Sequence, residues 1–321
     1  MNEIIDKLTS LYQKDNRPWF AGFSGGKDST LLVSLIFKSV LQIPENKRTK
    51  EVNIIFTDTG VEIPSYIEVA KKNVNSMIEF SNKNKLNINV NILKPELLDS
   101  FWVTLIGRGY SPPSRVFRWC TQRLKINTAH RFIKNKLNKN GSAIMFIGTR
   151  RAESTSRARI MDYYKAKRDN NSQILIYPPL ENLTTEQVWD YLLKHNTPWG
   201  FDIKELYNLY LAAGGENARF GCWTCTVVNR DKTSEGLANN GDERMKLLLG
   251  FRQKMIEYGK PKNGYRIVEI VDNKEKIGRL NLTARQDLLN ELLVLQNKIN
   301  CNLITQEEIE GIYEMWRKGQ T

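Results

Sequence analysis

The chain has 321 residues, 40% hydrophobic and 26% charged, with a net charge of +13. That composition supplies a core and excludes a collagenous or low-complexity protein, and no run approaches the ~20 apolar residues of a membrane helix. So large a positive surplus favours a polyanionic partner, nucleic acid above all.

In chain order, the first residues (MNEIIDKLTSLYQKDNRPWF) are amphipathic and lack a signal-peptide core, so a cytoplasmic location without membrane contact is expected. Trp19–Phe23 (WFAGF) reads as a buried strand, and residues 27–40 as a helix directly after a Gly turn. Val52–Thr57 (VNIIFT) is a second strand, followed by a helix from Pro64, and Ile88–Leu93 alternates as a third strand. Residues 96–106 and 122–137 carry helical patterns. Residues 143–148 (AIMFIG) and Ile174–Tyr177 (ILIY) complete five strands, and Thr184 caps a helix over 185–195. Strands alternating with helices predict an α/β fold with a doubly wound, mostly parallel five-stranded sheet. After Asn196 strand signals fade. Helices are expected over 234–258, 283–299 and Gln306–Arg317, with residues 260–280 a loop holding one short extended piece at 267–270. The expected division is a nucleotide-binding domain over 1–195 and a mainly helical C-terminal cap over 196–321.

Ser24-Gly25-Gly26-Lys27-Asp28-Ser29-Thr30 lies between the first strand and the first helix. Glycines allow a tight turn that points N–H groups and a helix N-terminus at a phosphate. Ser24, Ser29 and Thr30 add hydroxyls, Lys27 adds charge, and Asp28 can hold Mg²⁺ against the phosphates. The spacing fits neither a Walker loop nor a dinucleotide fingerprint. Thr57-Asp58-Thr59-Gly60 follows the second strand at the carboxyl edge, where ligands bind in open sheets. There Asp58 serves either ribose or Mg²⁺, or else a capping turn ahead of Pro64.

Arginine concentrates in two segments, Arg115-Val-Phe-Arg118-Trp-Cys-Thr-Gln-Arg123-Leu-Lys125 and Gly148-Thr-Arg150-Arg151-Ala-Glu-Ser-Thr-Ser-Arg157-Ala-Arg159. Arginine forks pair bidentately with phosphate oxygens, so both can grip ATP phosphates or a nucleic-acid backbone. Arg150 is assigned to the nucleotide and Arg151 to catalysis. Arg115, Arg118, Arg123, Lys125, Arg157 and Arg159 are assigned to nucleic acid.

The loop is similar to the SGGxDS pyrophosphate loop of the ATP-pyrophosphatase (PP-loop) superfamily, which includes thiouridine synthases, GMP synthetase and PAPS reductases. That resemblance implies an adenine nucleotide alpha hydrolase-like fold. The stretch from Phe101-Trp102 to Lys125, residues 148–161, Pro178-Pro-Leu-Glu-Asn-Leu-Thr-Thr-Glu-Gln-Val-Trp189 and Asn217-Ala-Arg-Phe-Gly-Cys222-Trp-Thr-Cys225-Thr-Val-Val228 together resemble the DndC family. These are the PAPS reductase-like sulfurtransferases of DNA phosphorothioation, a form of restriction–modification and phage defence. The chain's length suits the related component of single-strand phosphorothioation systems, the SspD-like branch. The resemblance implies ATP, Mg²⁺, a [4Fe–4S] cluster and DNA. It also implies a cysteine desulfurase as sulfur donor and further proteins of the phosphorothioation system. PAPS reductases themselves carry a C-terminal Glu-Cys-Gly-Leu-His-type nucleophile, and residues 309–321 hold no cysteine.

Of four cysteines, Cys222 and Cys225 form a Cys-x-x-Cys pair and Cys120 precedes an expected helix, whose N-terminus stabilises a thiolate. Two chemistries stay open. The resemblance implies a cluster on Cys120, Cys222 and Cys225 with one iron free; alternatively Cys222 and Cys225 are catalytic, carrying a persulfide that resolves as a disulfide. The bland alternative is a small buried pair stabilising a turn. The larger relatives place a further cysteine shortly before the pair, where Gly215 stands here. Cys301 reads as packing, and His130 and His195 lack zinc-ligand spacing.

The function this implies is ATP-dependent adenylation of a DNA backbone phosphate, releasing pyrophosphate, followed by replacement of a non-bridging oxygen with sulfur. The alternatives are a tRNA thiolase on the same loop and a nucleotide-sensing, nucleic-acid-binding subunit without catalysis.

Overall fold

The computed structural model describes residues 1–137, 141–167, 173–271 and 274–319. Its centre is a five-stranded parallel sheet in the order β3-β2-β1-β4-β5. The strands and their connections run α1 (Asn2–Lys14), β1 (Trp19–Phe23), α2 (Lys27–Leu41), β2 (Val52–Thr57), α3 (Pro64–Lys83), β3 (Ile88–Leu93), α4 (Asn127–Lys136), β4 (Ala143–Phe146), α5 (Thr155–Lys167) and β5 (Ile174–Tyr177). The chain continues through α6 (Thr185–Lys194), α7 (Ile203–Ala212), α8 (Lys232–Asn239) and α9 (Glu243–Gly259). It ends with β6 (Arg266–Val271), β7 (Lys274–Leu280), α10 (Leu282–Ile299) and α11 (Gln306–Arg317).

Helices cover both faces of the sheet, as a parallel sheet requires. Trp19, Ala21 and Phe23 of β1 bury one face under α1 and α2, whereas Phe20 packs with Ile55 and Ile133 on the face under α4. Strand order reverses between β1 and β4. The loops leaving those two strands therefore open a crevice at their carboxyl ends, and these are the loops that carry residues 24–30 and 148–151.

Core membership does not follow chain order. Ile203, Leu206 and Tyr210 of α7 belong to the sheet's core, while Val61, Ile63, Phe101, Trp102, Trp119 and Leu124 join α8–α11 in a second core. The segments on either side of residue 195 are thus interleaved.

Several expected elements differ. The helix expected over 96–106 is a 3₁₀ turn at Leu97–Asp99 and a π-helical turn at Val103–Gly107, separated by the extended Ser100. The helix over 122–137 begins as a π-helical stretch, Thr121–Ile126. The helix expected over 234–258 breaks into α8 and α9, because Gly241 takes φ 96° and the Asp242 side chain caps the new helix at the Met245 N–H. Within 260–280, the extended piece expected at 267–270 is β6, and it pairs antiparallel with β7 where a loop was expected.

Candidate active site

The turn after β1 is built around glycine. Gly25 takes φ +86°, and a Cβ there would stand 2.6 Å from the Ala70 Cβ of α3. Only glycine fits that approach. The Tyr66 hydroxyl donates to the Ser24 carbonyl at 2.7 Å, and the Ser24 N–H donates to Ser29 Oγ at 3.2 Å. Helix α2 starts at Lys27, whose N–H donates to the Tyr210 hydroxyl at 3.3 Å. The first N–H groups of a helix lack helical acceptors, so this turn offers donors to an anion.

Asp28 stands between two cations. Arg150 Nε donates to Asp28 Oδ1 at 2.7 Å, and Lys27 Nζ lies 3.3 Å from Oδ2. Arg150 is almost fully buried, and its remaining nitrogens donate to the Leu183 carbonyl at 2.9 Å and Thr185 Oγ1 at 3.2 Å. Gly148 permits this pairing across the sheet. A Cβ on it would lie 3.1 Å from the Asp28 carbonyl group, so the strand β4 loop sits directly on the first turn of α2.

These groups line a cleft of about 710 Å³ that also includes Glu62, Tyr66, Lys125, Glu153, Arg157, Tyr210, Arg219 and Phe220. Tyr66 stacks on Phe220 with ring centroids 4.5 Å apart, and Tyr210 meets Phe220 edge-on at 4.9 Å. Burial raises the phenol pKa values of Tyr66 and Tyr210, so both remain neutral hydrogen-bonding groups. The cleft thus offers an aromatic wall, a phosphate turn and several cations.

The three cysteines gather at one side of it. Cys222 bridges to Glu62 through a β-bridge, the Trp223 N–H donates to the Val61 carbonyl at 3.1 Å, and the Cys225 N–H donates to the Cys222 carbonyl at 3.0 Å. Cys120, Cys222, Cys225, Glu62 and Lys125 interact electrostatically with one another. Burial pushes the Cys222 thiol up to about 12, with Lys125 opposing. At neutral pH Cys222 is therefore a thiol, and Lys125 gains from a thiolate only once that proton leaves. Lys125 itself is exposed to solvent at the cleft wall. All four cysteines are unpaired thiols.

Among the described residues no group of three or more His, Cys, Asp or Glu is spaced to hold a single metal ion. A cubane spreads its thiolates over separate irons and so spaces them more widely than one ion does. Three convergent, partly buried thiols are a donor set of the right chemistry for such a cluster. Asp28 likewise suits Mg²⁺, which takes one or two carboxylates together with substrate phosphates.

Other expected site residues lie elsewhere. Arg151, assigned to catalysis, is not on the cleft wall. It donates to Asp162 at 2.5 Å and lies 3.8 Å from Glu181, because the 3₁₀ turn Arg151–Glu153 points it away from Arg150. Asp58 accepts from the Gly60 N–H at 3.1 Å and pairs with Lys71 at 2.8 Å, the capping-turn alternative rather than a cleft group. Arg123 is held by Asp99 and the Tyr110 hydroxyl, so its fork is already occupied. Arg157 lines the cleft but pairs with Glu153 at 2.6 Å, while Arg115, Arg118 and Arg159 are exposed. The sequence reading assigned no role to Tyr66, Tyr210, Glu62, Glu153 or Arg219. Only Glu153, three residues after Arg150, left a local sign of its capping contact to the Arg150 N–H.

A family model for the phosphoadenosine phosphosulfate reductase domain matches residues 18–228. The chain belongs to this family. The match takes in the phosphate turn, the β4 loop and the Cys222/Cys225 pair, and members of the family are sulfur transferases and reductases. Among curated relatives, the uncharacterized protein MJ0066 of Methanocaldococcus jannaschii is 28% identical over 227 residues, covering 70% of this chain and 39% of that protein. A second protein of that organism, MJ0973, is 28% identical over 288 residues, covering 85% of this chain and 60% of its own. The chain thus spans about two fifths to three fifths of the length of these relatives. Solved structures with a similar arrangement include the U34-tRNA thiolase NcsA from Methanococcus maripaludis with its [4Fe–4S] cluster (16% identity, TM-score 0.38, covering 80% of this chain and 77% of that one). Another is the phosphoadenylyl-sulfate reductase of Candida auris in its phosphate complex (18% identity, TM-score 0.39, covering 71% and 98%). Among the described residues no helix is long and apolar enough to cross a membrane.

Proposed function

We propose that this chain is an ATP-dependent sulfurtransferase that thiolates a DNA backbone phosphate. The observation that carries the reading is the sharing of one cleft: the phosphate turn with its Lys27–Asp28–Arg150 cluster opens onto the same cavity as Lys125, which sits among the three thiols. A nucleotide-activating group in a cavity whose wall reaches Gly221 and Lys125, beside the cysteine turn, fits activation followed by sulfur transfer.

ATP lies with its phosphates on the turn of residues 24–30, where Asp28 would hold an accompanying Mg²⁺ against them. Arg150 fixes the Asp28 carboxylate, and the Tyr66–Phe220 wall offers a face for the adenine. A non-bridging oxygen of the DNA phosphate attacks the α-phosphorus, and the bond to pyrophosphate breaks. Lys27 and the helix N-terminus stabilise the charge that develops on the leaving group. The DNA phosphorus now carries AMP as its leaving group. The terminal sulfur of a Cys222 persulfide, loaded by a cysteine desulfurase, attacks that phosphorus and AMP departs with the former phosphate oxygen. The Cys225 thiolate then attacks the inner sulfur, leaving sulfur on DNA and a Cys222–Cys225 disulfide that a thiol reductant reopens. A [4Fe–4S] cluster held by Cys120, Cys222 and Cys225 would supply an alternative metal-borne sulfur site. Partner proteins of a phosphorothioation system, a cytoplasmic setting and DNA as substrate belong to the same proposal.

The test combines the chain with Mg-ATP, DNA, cysteine and a cysteine desulfurase, then measures released pyrophosphate and analyses nuclease digests by mass spectrometry. Phosphorothioate dinucleotides that vanish in Asp28→Asn and Cys222→Ser support the reading. Sulfur on a base of added tRNA instead moves the assignment to tRNA thiolation. DNA binding without any pyrophosphate release makes the chain a nucleotide-sensing subunit.

A further inference from the structure

The loop before Cys120 presents an apolar tip. Val116 is 97% exposed and Phe117 44% exposed, while Arg115 and Arg118 on either side are exposed too. Fully solvated β-branched side chains on a loop tip cost nothing to replace by polar ones, so this tip is a candidate contact surface. It is also held rigid. The Ser114 N–H donates to the Phe117 carbonyl at 3.2 Å, and the Phe117 N–H returns to the Ser114 carbonyl at 3.3 Å and its Oγ at 3.2 Å. Trp119 Nε1 donates to the Ser111 carbonyl at 3.0 Å, and Phe117 backs onto Tyr110, whose ring meets that of Trp119. Thr226 Oγ1, one residue past Cys225, donates to the Pro113 carbonyl at 2.6 Å. The tip is therefore tied directly to the cysteine turn.

We propose that Val116 and Phe117 form a wedge that inserts against the bases of the bound nucleic acid, with Arg115 and Arg118 straddling it on the phosphates. This deepens the function proposed above and rests on it. An apolar side chain between two phosphate-seeking cations is the arrangement by which groove-binding proteins unstack a base step. Neither Arg115 nor Arg118 has an ion-pair partner among the described residues, unlike Arg123 and Arg157. The net charge of +13 favours a polyanion over an apolar protein surface as the occupant. Through the Thr226–Pro113 contact, the wedge sets which backbone phosphate faces the thiols.

The experiment measures binding of 2-aminopurine-labelled DNA, single-stranded and duplex, over a range of salt concentrations. The proteins are wild type, Val116→Ser, Phe117→Ala and Arg115→Ala/Arg118→Ala. Wild-type binding is expected to raise 2-aminopurine fluorescence by unstacking it. Val116→Ser and Phe117→Ala lose that rise and bind about tenfold or more weakly with the salt slope unchanged. The arginine pair instead lowers the slope by roughly 2. Val116→Ser removes a solvated side chain, so its fold is intact, and thermal melts check Phe117→Ala. If both apolar variants bind with wild-type affinity and fluorescence while pyrophosphate release and thiolation persist, the wedge is refuted and the function stands; a tip built for a protein partner gives that result. If wild type binds no nucleic acid, wedge and DNA substrate fall together.

Discussion

Replacing Arg150 with Met tests whether the Asp28–Arg150 pair is the hinge between fold and phosphate turn. The guanidinium is almost fully buried, and its Nε lies 2.7 Å from Asp28 Oδ1. At an effective dielectric near 20 such a pair is worth about 4 kcal/mol of Coulomb attraction, largely offset by the desolvation of both charges. Removing one partner forfeits the attraction and keeps the other's desolvation, about 3–5 kcal/mol. The orphaned Leu183 carbonyl and Thr185 hydroxyl add to this. With a urea m-value of about 3 kcal/mol/M, a loss of 4 kcal/mol moves the unfolding midpoint down by about 1.3 M. Asp28→Asn removes a carboxylate then left with Lys27 alone, so the double variant Arg150→Met/Asp28→Asn is expected to recover about 1–3 kcal/mol relative to the sum of the singles. Urea denaturation of the four proteins measures this coupling. A loss below about 1 kcal/mol for Arg150→Met, or strict additivity, would refute the pairing argument.

Gly25→Ala is expected to lose pyrophosphate release and destabilise the chain by about 2 kcal/mol or more, since a left-handed residue gains a Cβ 2.6 Å from Ala70; melts and a pyrophosphate assay check both. Arg252 of α9, buried, donates to the Cys225 carbonyl at 2.7 Å and to those of Val228 and Asn229. Arg252→Met should therefore cost about 2–3 kcal/mol and speed alkylation of Cys225, read by mass spectrometry. Anaerobically purified protein is expected to contain about four irons and matching sulfide per chain, reduced in Cys120→Ala, as read by metal and sulfide analysis. Burial lowers Lys50 to about 8. A lysine depressed in the fold carries its full penalty below that pKa, and the penalty is relieved as pH rises towards the unfolded value of about 10.4. The melting-temperature gain of Lys50→Met over wild type should thus be largest at pH 7 and shrink by pH 10.

The sheet and the phosphate turn were legible because their signals are local. Buried parallel strands are short apolar runs, and Gly25-Gly26 between a strand and a helix has few other uses. The breaks were less legible. Residues 96–106 keep helical periodicity across Ser100, yet the chain kinks there so that Phe101 and Trp102 can reach the second core. The 234–258 pattern hid a helix end because Gly241 and Asp242 punctuate it weakly in sequence but decisively in φ. The extended piece at 267–270 is β6, but its partner β7 was missed because the exposed Val268, Ile270 and Ile277 alternate with charges rather than marking a buried face.

By itself the sequence determined the α/β class, the phosphate turn, the position of the second arginine segment at a strand end, and the three cysteines. Spacing along the chain carries those facts. Only the tertiary structure decided which of these groups meet. It set Arg150 rather than Arg151 on Asp28, spent Arg123 on Asp99 and Asp58 on Lys71, and drew Tyr66, Tyr210 and Phe220 into one wall. The physical reason is that pairing partners lie far apart in the chain, 183 residues in the Tyr210 contact to the Lys27 N–H. Such contacts follow from the packing of two interleaved cores, which no local pattern encodes.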